Sequence, residues 1–241
     1  MSQNISFNIY VMSYKRSDKI MSERCFDYCT YCVRESEKEL YEKAGVKNIL
    51  AIPDDCVFDF MSTFYWIIEN TPEDVVCIAD DDIKNFIYRL NDNTPIVDKE
   101  DNPIKEIVTE ECERIAQLLV DLNLGLAYDN PQAAPYTYDK EIAFKGMPGH
   151  IRWVNKSAFK AKYDAANPAS SDIDMAMQEL LINRIILLPK YFITSALMDT
   201  NKGIVEDRQE HIDMTIAMKN KWGKYYDYDY RKNEARINVQ R

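Results

Sequence analysis

The chain has 241 residues, of which 46% are hydrophobic and 29% charged, and its formal net charge is −10. That length suits one sizeable α/β domain, and the acidic balance works against sequence-independent nucleic-acid binding, which needs many phosphates neutralised by Lys and Arg. Only six glycines occur, and neither GxGxxG nor GxxxxGK(S/T) is found, which removes most glycine-rich phosphate loops.

The opening residues lack the basic and apolar regions of a signal peptide. No apolar run approaches about 18 residues. A cytoplasmic location and no membrane partner are therefore expected.

In chain order, Phe7–Ser13 reads as a buried strand. A helix is expected over Asp18–Tyr31, because Cys25, Cys29 and Cys32 fall at i, i+4 and i+7 and would share one packed face. The Cys29–Cys32 CxxC lacks a second pair or a nearby His to complete a zinc site. Glu35–Ala44 reads as a helix, Val46–Ile52 as a strand stopped by Pro53, and Phe58–Glu69 as an aromatic-rich helix. Val75–Ala79 is a short, continuous apolar run, the pattern of a central parallel strand covered on both faces.

Asn91–Asn102 is polar loop. Ile104–Leu122 repeats apolar residues at helical spacing and is closed by Gly125. Strands are expected at Leu124–Tyr128, Ala143-Phe144 and His150–Asn155. A helix follows over Asp172–Asn183, then a strand over Ile185–Thr194 that Pro189 breaks or confines to an edge. Glu206–Trp222 is a last helix, ended by Gly223; the state of Tyr225–Arg241 is left open. Strands alternating with helices predict a single α/β domain with a central sheet and flanking helices, spanning 1–225, with 226–241 as a tail.

The chemistry concentrates at Asp80-Asp81-Asp82, directly after the apolar run. Ligands bind at that strand end in open α/β sheets. Three adjacent carboxylates repel one another unless a counter-charge meets them, and a hard dication such as Mn²⁺ or Mg²⁺ takes oxygen ligands and bridges carboxylates to phosphates. Residues i and i+2 of an extended segment point the same way, so Asp80 and Asp82 can share a metal while Asp81 faces elsewhere. The triplet alone also fits a phosphatase or a nuclease, or a solvated turn capping a helix at Ile83–Leu90.

A second cluster, Ser171-Asp172-Ile173-Asp174, opens a helix. Its acids suit the helix dipole, and Asp172 could equally act as a general base toward an acceptor hydroxyl. His211 is a candidate third metal ligand. His150 reads as structural or acceptor-facing. Basic residues gather at Lys15, Arg16 and Lys19, and again among Lys219, Lys221, Lys224, Arg231, Lys232 and Arg236.

The order of these elements resembles the GT-A glycosyltransferases, whose DxD motif binds metal and nucleotide-sugar. More closely, VVCIADDDI, SDIDMAM and the late Lys202-Gly203, Arg208 and Lys221-Trp222-Gly223 resemble the phage glycosyltransferases associated with TET-like DNA oxygenases. The resemblance implies a GT-A fold with a mixed central sheet, a UDP-sugar donor, and Mn²⁺ or Mg²⁺ at Asp80 and Asp82. It implies nucleotide contacts from Ser13, Tyr14, Arg16, Asp80 and Asp81, and a catalytic pair at Asp172 and Asp174. The implied acceptor is 5-hydroxymethylcytosine in phage DNA, reached in the host cytoplasm; a glycan or protein acceptor, or a non-enzymatic acidic DNA mimic, are the alternatives. Ser171 stands where the family's Glu-Asp pair has Glu.

Overall fold

A computed structural model describes residues 5–89, 92–129, 138–196, 208–232 and 234–239. Its strands, in chain order, are Phe7–Met12 (β1), Thr30–Arg34 (β2), Ile49–Ile52 (β3), Val75–Asp80 (β4), Ile83–Tyr88 (β5), Thr94–Pro95 (β6), Leu126–Tyr128 (β7), Ile142–Ala143 (β8), Ile151–Asn155 (β9), Leu188–Pro189 (β10), Phe192–Ala196 (β11), Tyr226–Asp229 (β12) and Glu234–Ile237 (β13). The helices are Lys38–Lys43 (α1), Phe60–Asn70 (α2), Lys105–Asp121 (α3), Asp172–Ile182 (α4) and Arg208–Trp222 (α5).

The main sheet has the order β3-β2-β1-β4-β9-β7. β1 to β4 run parallel. β9 lies antiparallel to both β4 and β7, which makes the sheet mixed. Strand alternation divides the core in two. Ile9 and Val11 of β1, with Val75, Cys77 and Ala79 of β4, face α3 through Val108, Cys112, Ile115 and Leu119. Tyr10, Met12, Val76 and Ile78 face the other way, toward Met61, Phe64 and Ile67 of α2 and Met175, Ala176 and Leu180 of α4. Both faces of β4 are thus dry, as its unbroken apolar run requires.

Two expectations are corrected. No helix covers Asp18–Tyr31: a 3-10 turn at Ser22–Cys25 is followed by β2, paired through Tyr10↔Thr30 and Met12↔Cys32. The cysteine spacing imitates a helix, but Thr30-Tyr31-Cys32-Val33 is a β-prone run, and sheet pairing decides. All three cysteines are nonetheless buried and free. Nor does a helix open at Ile83, the other reading of the acidic turn: Ile83–Tyr88 forms β5, antiparallel to β11, with β6 on its far side. Pro189 breaks its segment as expected, leaving β10 on β8 and β11 on β5.

Tyr225–Arg241, left open above, contains the β12–β13 hairpin. Tyr226 and Tyr228 pack with Met218 of α5 and Met177 of α4. Glu179 of α4 is buried and accepts bonds from the amides of Lys160 and Ala161 (2.6 and 2.7 Å) and from Asn183 Nδ2 (2.6 Å). Gly125 lies against this knot: a Cβ there would sit 2.7 Å from Glu179 Oε2 and from Phe159 Cα. Gly125→Ala should cost about 1–3 kcal/mol by overpacking, read as a fall in Tm with little change in the denaturant m-value.

Candidate active site

β4 ends between two neighbours that supply opposite halves of the site. On the parallel side, β1 ends in register, Met12 beside Asp80, and delivers the loop Ser13-Tyr14-Lys15-Arg16. On the antiparallel side, Ala79 pairs with Ile151, so the residue entering β9, His150, lies beside the residue leaving the apolar run, Asp80. The Asp80 amide donates to the His150 carbonyl at 2.9 Å.

The three aspartates are held apart by different partners. Asp80 accepts from Arg152 Nη1 at 3.0 Å on Oδ1, and Oδ2 is 3.2 Å from His150 Nδ1. Burial pushes the Asp80 carboxyl up, but Arg152 and His150 outweigh it and leave the group below the usual carboxylate range. The bond to Asp80 raises the His150 pKa in turn.

Asp81 turns the other way. It takes the Ser13 hydroxyl at 2.5 Å and pairs with the Arg16 guanidinium. Its burial outweighs these partners, and its carboxyl is raised. Tyr41 closes the network: its hydroxyl lies 2.6 Å from Ser13 Oγ and accepts the Arg16 amide at 3.1 Å. Asp82 has Arg16 Nη1 at 3.7 Å. Buried Ser22 fixes the acidic turn, donating to the Asp80 carbonyl at 2.7 Å and accepting the Ile83 amide at 3.0 Å.

Ligand atoms of Asp80, Asp82 and His150 lie within 4.8 Å of one another. Two carboxylate oxygens and one imidazole nitrogen are a donor set suited to a divalent metal of the Mn²⁺ or Mg²⁺ kind, so the residues fit the ion that the sequence implies. His211 is not in this group. Its Nε2 lies 2.7 Å from the Tyr228 hydroxyl and its ring packs edge-on against Tyr228, which ties α5 to the hairpin.

Beside the aspartates opens a cleft of about 820 Å³, lined among others by Tyr14, Arg16, Arg34, Phe58, Phe60 and Thr63. Ser13, Tyr14 and Arg16 all line it, although Ser13 spends its hydroxyl on Asp81 and Tyr41. The Arg34 guanidinium lies over the Tyr14 ring, 4.2 Å from its centroid. Lys15 holds the loop's bend at φ 55°, a left-handed conformation, and its amide donates to Glu37.

The two acids of α4 part company. Ser171 caps the helix by accepting the Asp174 amide at 3.1 Å. Asp172, a third exposed, lies 3.6 Å from Arg152 Nη2 and so shares that guanidinium with Asp80. Asp174 is corrected from a catalytic candidate to an anchor. It is 1% exposed, and it accepts from Trp222 Nε1, Lys221 Nζ and Gln178 Nε2, each at 2.8 Å. Three donors engage both its oxygens, and the carboxylate ties α5 to α4.

Sequence reading gave His150 no place beside Asp80 and passed over Arg152 and Asp129. His150, just before β9, and Arg152 within it are two residues apart, as are Asp80 at the end of β4 and Asp82 just after it, but the antiparallel pairing that faces them together is not written in either segment. Fully buried Asp129 accepts the amides of Ile151 and Thr194 at 3.2 and 2.9 Å, fixing β11 and the start of β9 next to His150.

No model of a known protein family and no curated protein matches the chain. Solved structures do. One is a mycobacterial protein, at 9% identity over 98% of this chain and 84% of that one, with a TM-score of 0.55. Another is glucosyl-3-phosphoglycerate synthase from Mycobacterium tuberculosis in complex with Mg²⁺ and UDP, at 8% identity over 97% and 87%, with a TM-score of 0.53. A third is the mannosyltransferase PcManGT from Pyrobaculum calidifontis with GDP-Man and Mn²⁺, at 10% identity over 82% and 58%, with a TM-score of 0.53. At such identities the likeness establishes the fold: this chain has the mixed-sheet α/β fold of the GT-A glycosyltransferases.

If His150 is the third ligand, His150→Ala should weaken Mn²⁺ uptake in the presence of UDP by at least about tenfold, since even outer-shell partners of metal ligands carry that much. His211→Ala should leave it unchanged. Titration followed by the EPR signal of free Mn²⁺ checks both.

Proposed function

We propose that this chain is a metal-dependent glycosyltransferase that moves a sugar from a nucleotide-sugar, with UDP as the nucleotide, to an acceptor hydroxyl. The observation that carries the reading is the convergence of Asp80, Asp82 and His150 at the end of β4, opening on the cleft with Asp172 one guanidinium away. Neighbours of the same fold were solved with Mn²⁺ and UDP-glucose or with GDP-Man and Mn²⁺.

In this reading Asp80, Asp82 and His150 hold the cation, which neutralises the charge that develops on the departing diphosphate. The loop Tyr14–Arg16 and the Tyr14–Arg34 pair line the nucleotide's end of the cleft. Asp81 also lines the cleft, where it pairs with Arg16 and orients it. Asp172 receives the proton of the acceptor hydroxyl as its oxygen attacks the anomeric carbon, and the bond from that carbon to the diphosphate oxygen breaks. Arg152, 3.6 Å away, aims the Asp172 carboxylate.

The acceptor is inferred to be the hydroxymethyl oxygen of 5-hydroxymethylcytosine in DNA. Support for this finer assignment is the similarity of VVCIADDDI and SDIDMAM to phage DNA-base glycosyltransferases. Such a base must be unstacked or single-stranded to reach the donor.

The test is incubation with Mn²⁺ and a panel of nucleotide-sugars, with and without DNA containing 5-hydroxymethylcytosine, followed by mass analysis of the nucleosides. UDP release that requires the modified DNA, with a hexose or pentose mass gained by the nucleoside, is the expected result. Release with glycan acceptors only would move the acceptor assignment; no release from any donor would overturn the enzyme. Asp80→Ala and Asp82→Ala should each abolish release. Asp172→Asn should lower kcat by about 10²–10⁴ with little change in the donor's KM.

A further inference from the structure

Arg152 stands out among the groups around the acidic turn because its charge cannot be given up. Its side chain is 5% exposed, and a guanidinium keeps its proton at any physiological pH. It donates to Asp80, reaches Asp172 at 3.6 Å, and its buried Nε has no hydrogen-bond partner. Its guanidinium lies over the ring of Phe60, 4.9 Å from the centroid, and Phe60 lines the cleft. With His150 on the other oxygen, both oxygens of Asp80 are engaged before any ligand arrives. Arg16 similarly compensates Asp81 and reaches Asp82. Three aspartates therefore present much less negative charge to a dication than their number implies.

Resting on the glycosyltransferase reading, we propose that Arg152 is a built-in competitor for Asp80, so that a dication is held firmly at Asp80, Asp82 and His150 only together with a diphosphate. A dication arriving alone must share Asp80 with a fixed buried cation and is repelled by it. A diphosphate reverses the balance. It brings negative charge that would offset both cations at Asp80, so that the fixed charge of Arg152 no longer opposes the metal. The metal and the nucleotide then bind cooperatively, each tightening the other by the same factor. The protein does not stay loaded with a bare ion at its acidic turn. Arg152 is thus a positioning residue whose effect is exerted through Asp80 and Asp172.

The experiment uses the full chain and two probes, Mn²⁺ and UDP, and needs no turnover. Mn²⁺ binding is measured by the EPR signal of the free ion, with and without saturating UDP, for the wild type, Arg152→Met and Asp172→Asn, each checked for an unchanged thermal unfolding profile. In the wild type, UDP should tighten Mn²⁺ by at least about tenfold, within the usual range of coupling between sites. Arg152→Met should bind Mn²⁺ alone about tenfold more tightly and lose most of that coupling.

Asp172→Asn keeps the measurement decisive if the Met variant unfolds. Freed from Asp172, Arg152 leans wholly on Asp80, so Mn²⁺ alone should weaken more than Mn²⁺ with UDP, and the coupling should rise. Simple loss of one local charge would weaken both equally, which would overturn the proposal. So would an Arg152→Met protein whose affinity for Mn²⁺ alone and coupling match the wild type while Mn²⁺ and UDP still bind; that result leaves the glycosyltransferase reading intact. A wild type that takes up neither probe, alone or together, would overturn both.

Discussion

Three carboxylates in a row at the end of a dry strand would repel one another and could not be desolvated together. Their tolerance depends on a division between two cations from opposite sides of β4. Arg16, on the loop that follows β1, takes Asp81 with the help of Ser13 and Tyr41. Arg152, on β9, takes Asp80 with the help of His150. The backbone turn between them is fixed by Ser22, which bonds both sides of it. Because the two halves are paired separately, Asp80 and Asp82 are left on one side with His150, and Asp81 on the other.

The sheet makes that division possible. Parallel pairing of β1 with β4 brings their C-terminal ends to one edge, where the loop of residues 13–16 meets the acidic turn. Antiparallel pairing of β9 with β4 reverses the relation, so that the residues entering β9 meet those leaving β4. A fully parallel sheet would have placed His150 at the far edge. Asp129 then locks the entrance of β9 to β11 through backbone amides, so the histidine stands on a strand held from both sides.

The far end of the site is steadied by α4. Its first turn carries both Asp172, toward Arg152, and Asp174, away from it and into the Lys221–Trp222 anchor. One helical turn thus converts two similar acids into a group facing Arg152 and a tether for α5. Asp174 shows why: a carboxylate so deeply buried is tolerated only when hydrogen-bonded and paired, and Lys221, one of the late basic residues, supplies part of that pairing. Lys219 and Arg236 are likewise engaged, with Asp227 and with Asp229.

Much of the architecture was legible in the residues. The apolar run of β4 and the helical periods of α3 and α4 each state a local preference that tertiary packing reinforces. The acidic turn itself, and the split of Asp80 and Asp82 from Asp81, followed from the two-residue period of extended chain. What the sequence misread was local pattern without local cause. The cysteine spacing mimicked a helix where sheet pairing built β2, and His211, a lone helical histidine, satisfied itself on Tyr228. What it could not contain was the meeting of segments far apart in the chain. His150 and Arg152 lie some seventy residues from Asp80, and only the choice of an antiparallel neighbour for β4 faces them to it, because strand pairing is decided by the whole sheet's burial and not by any one strand's composition.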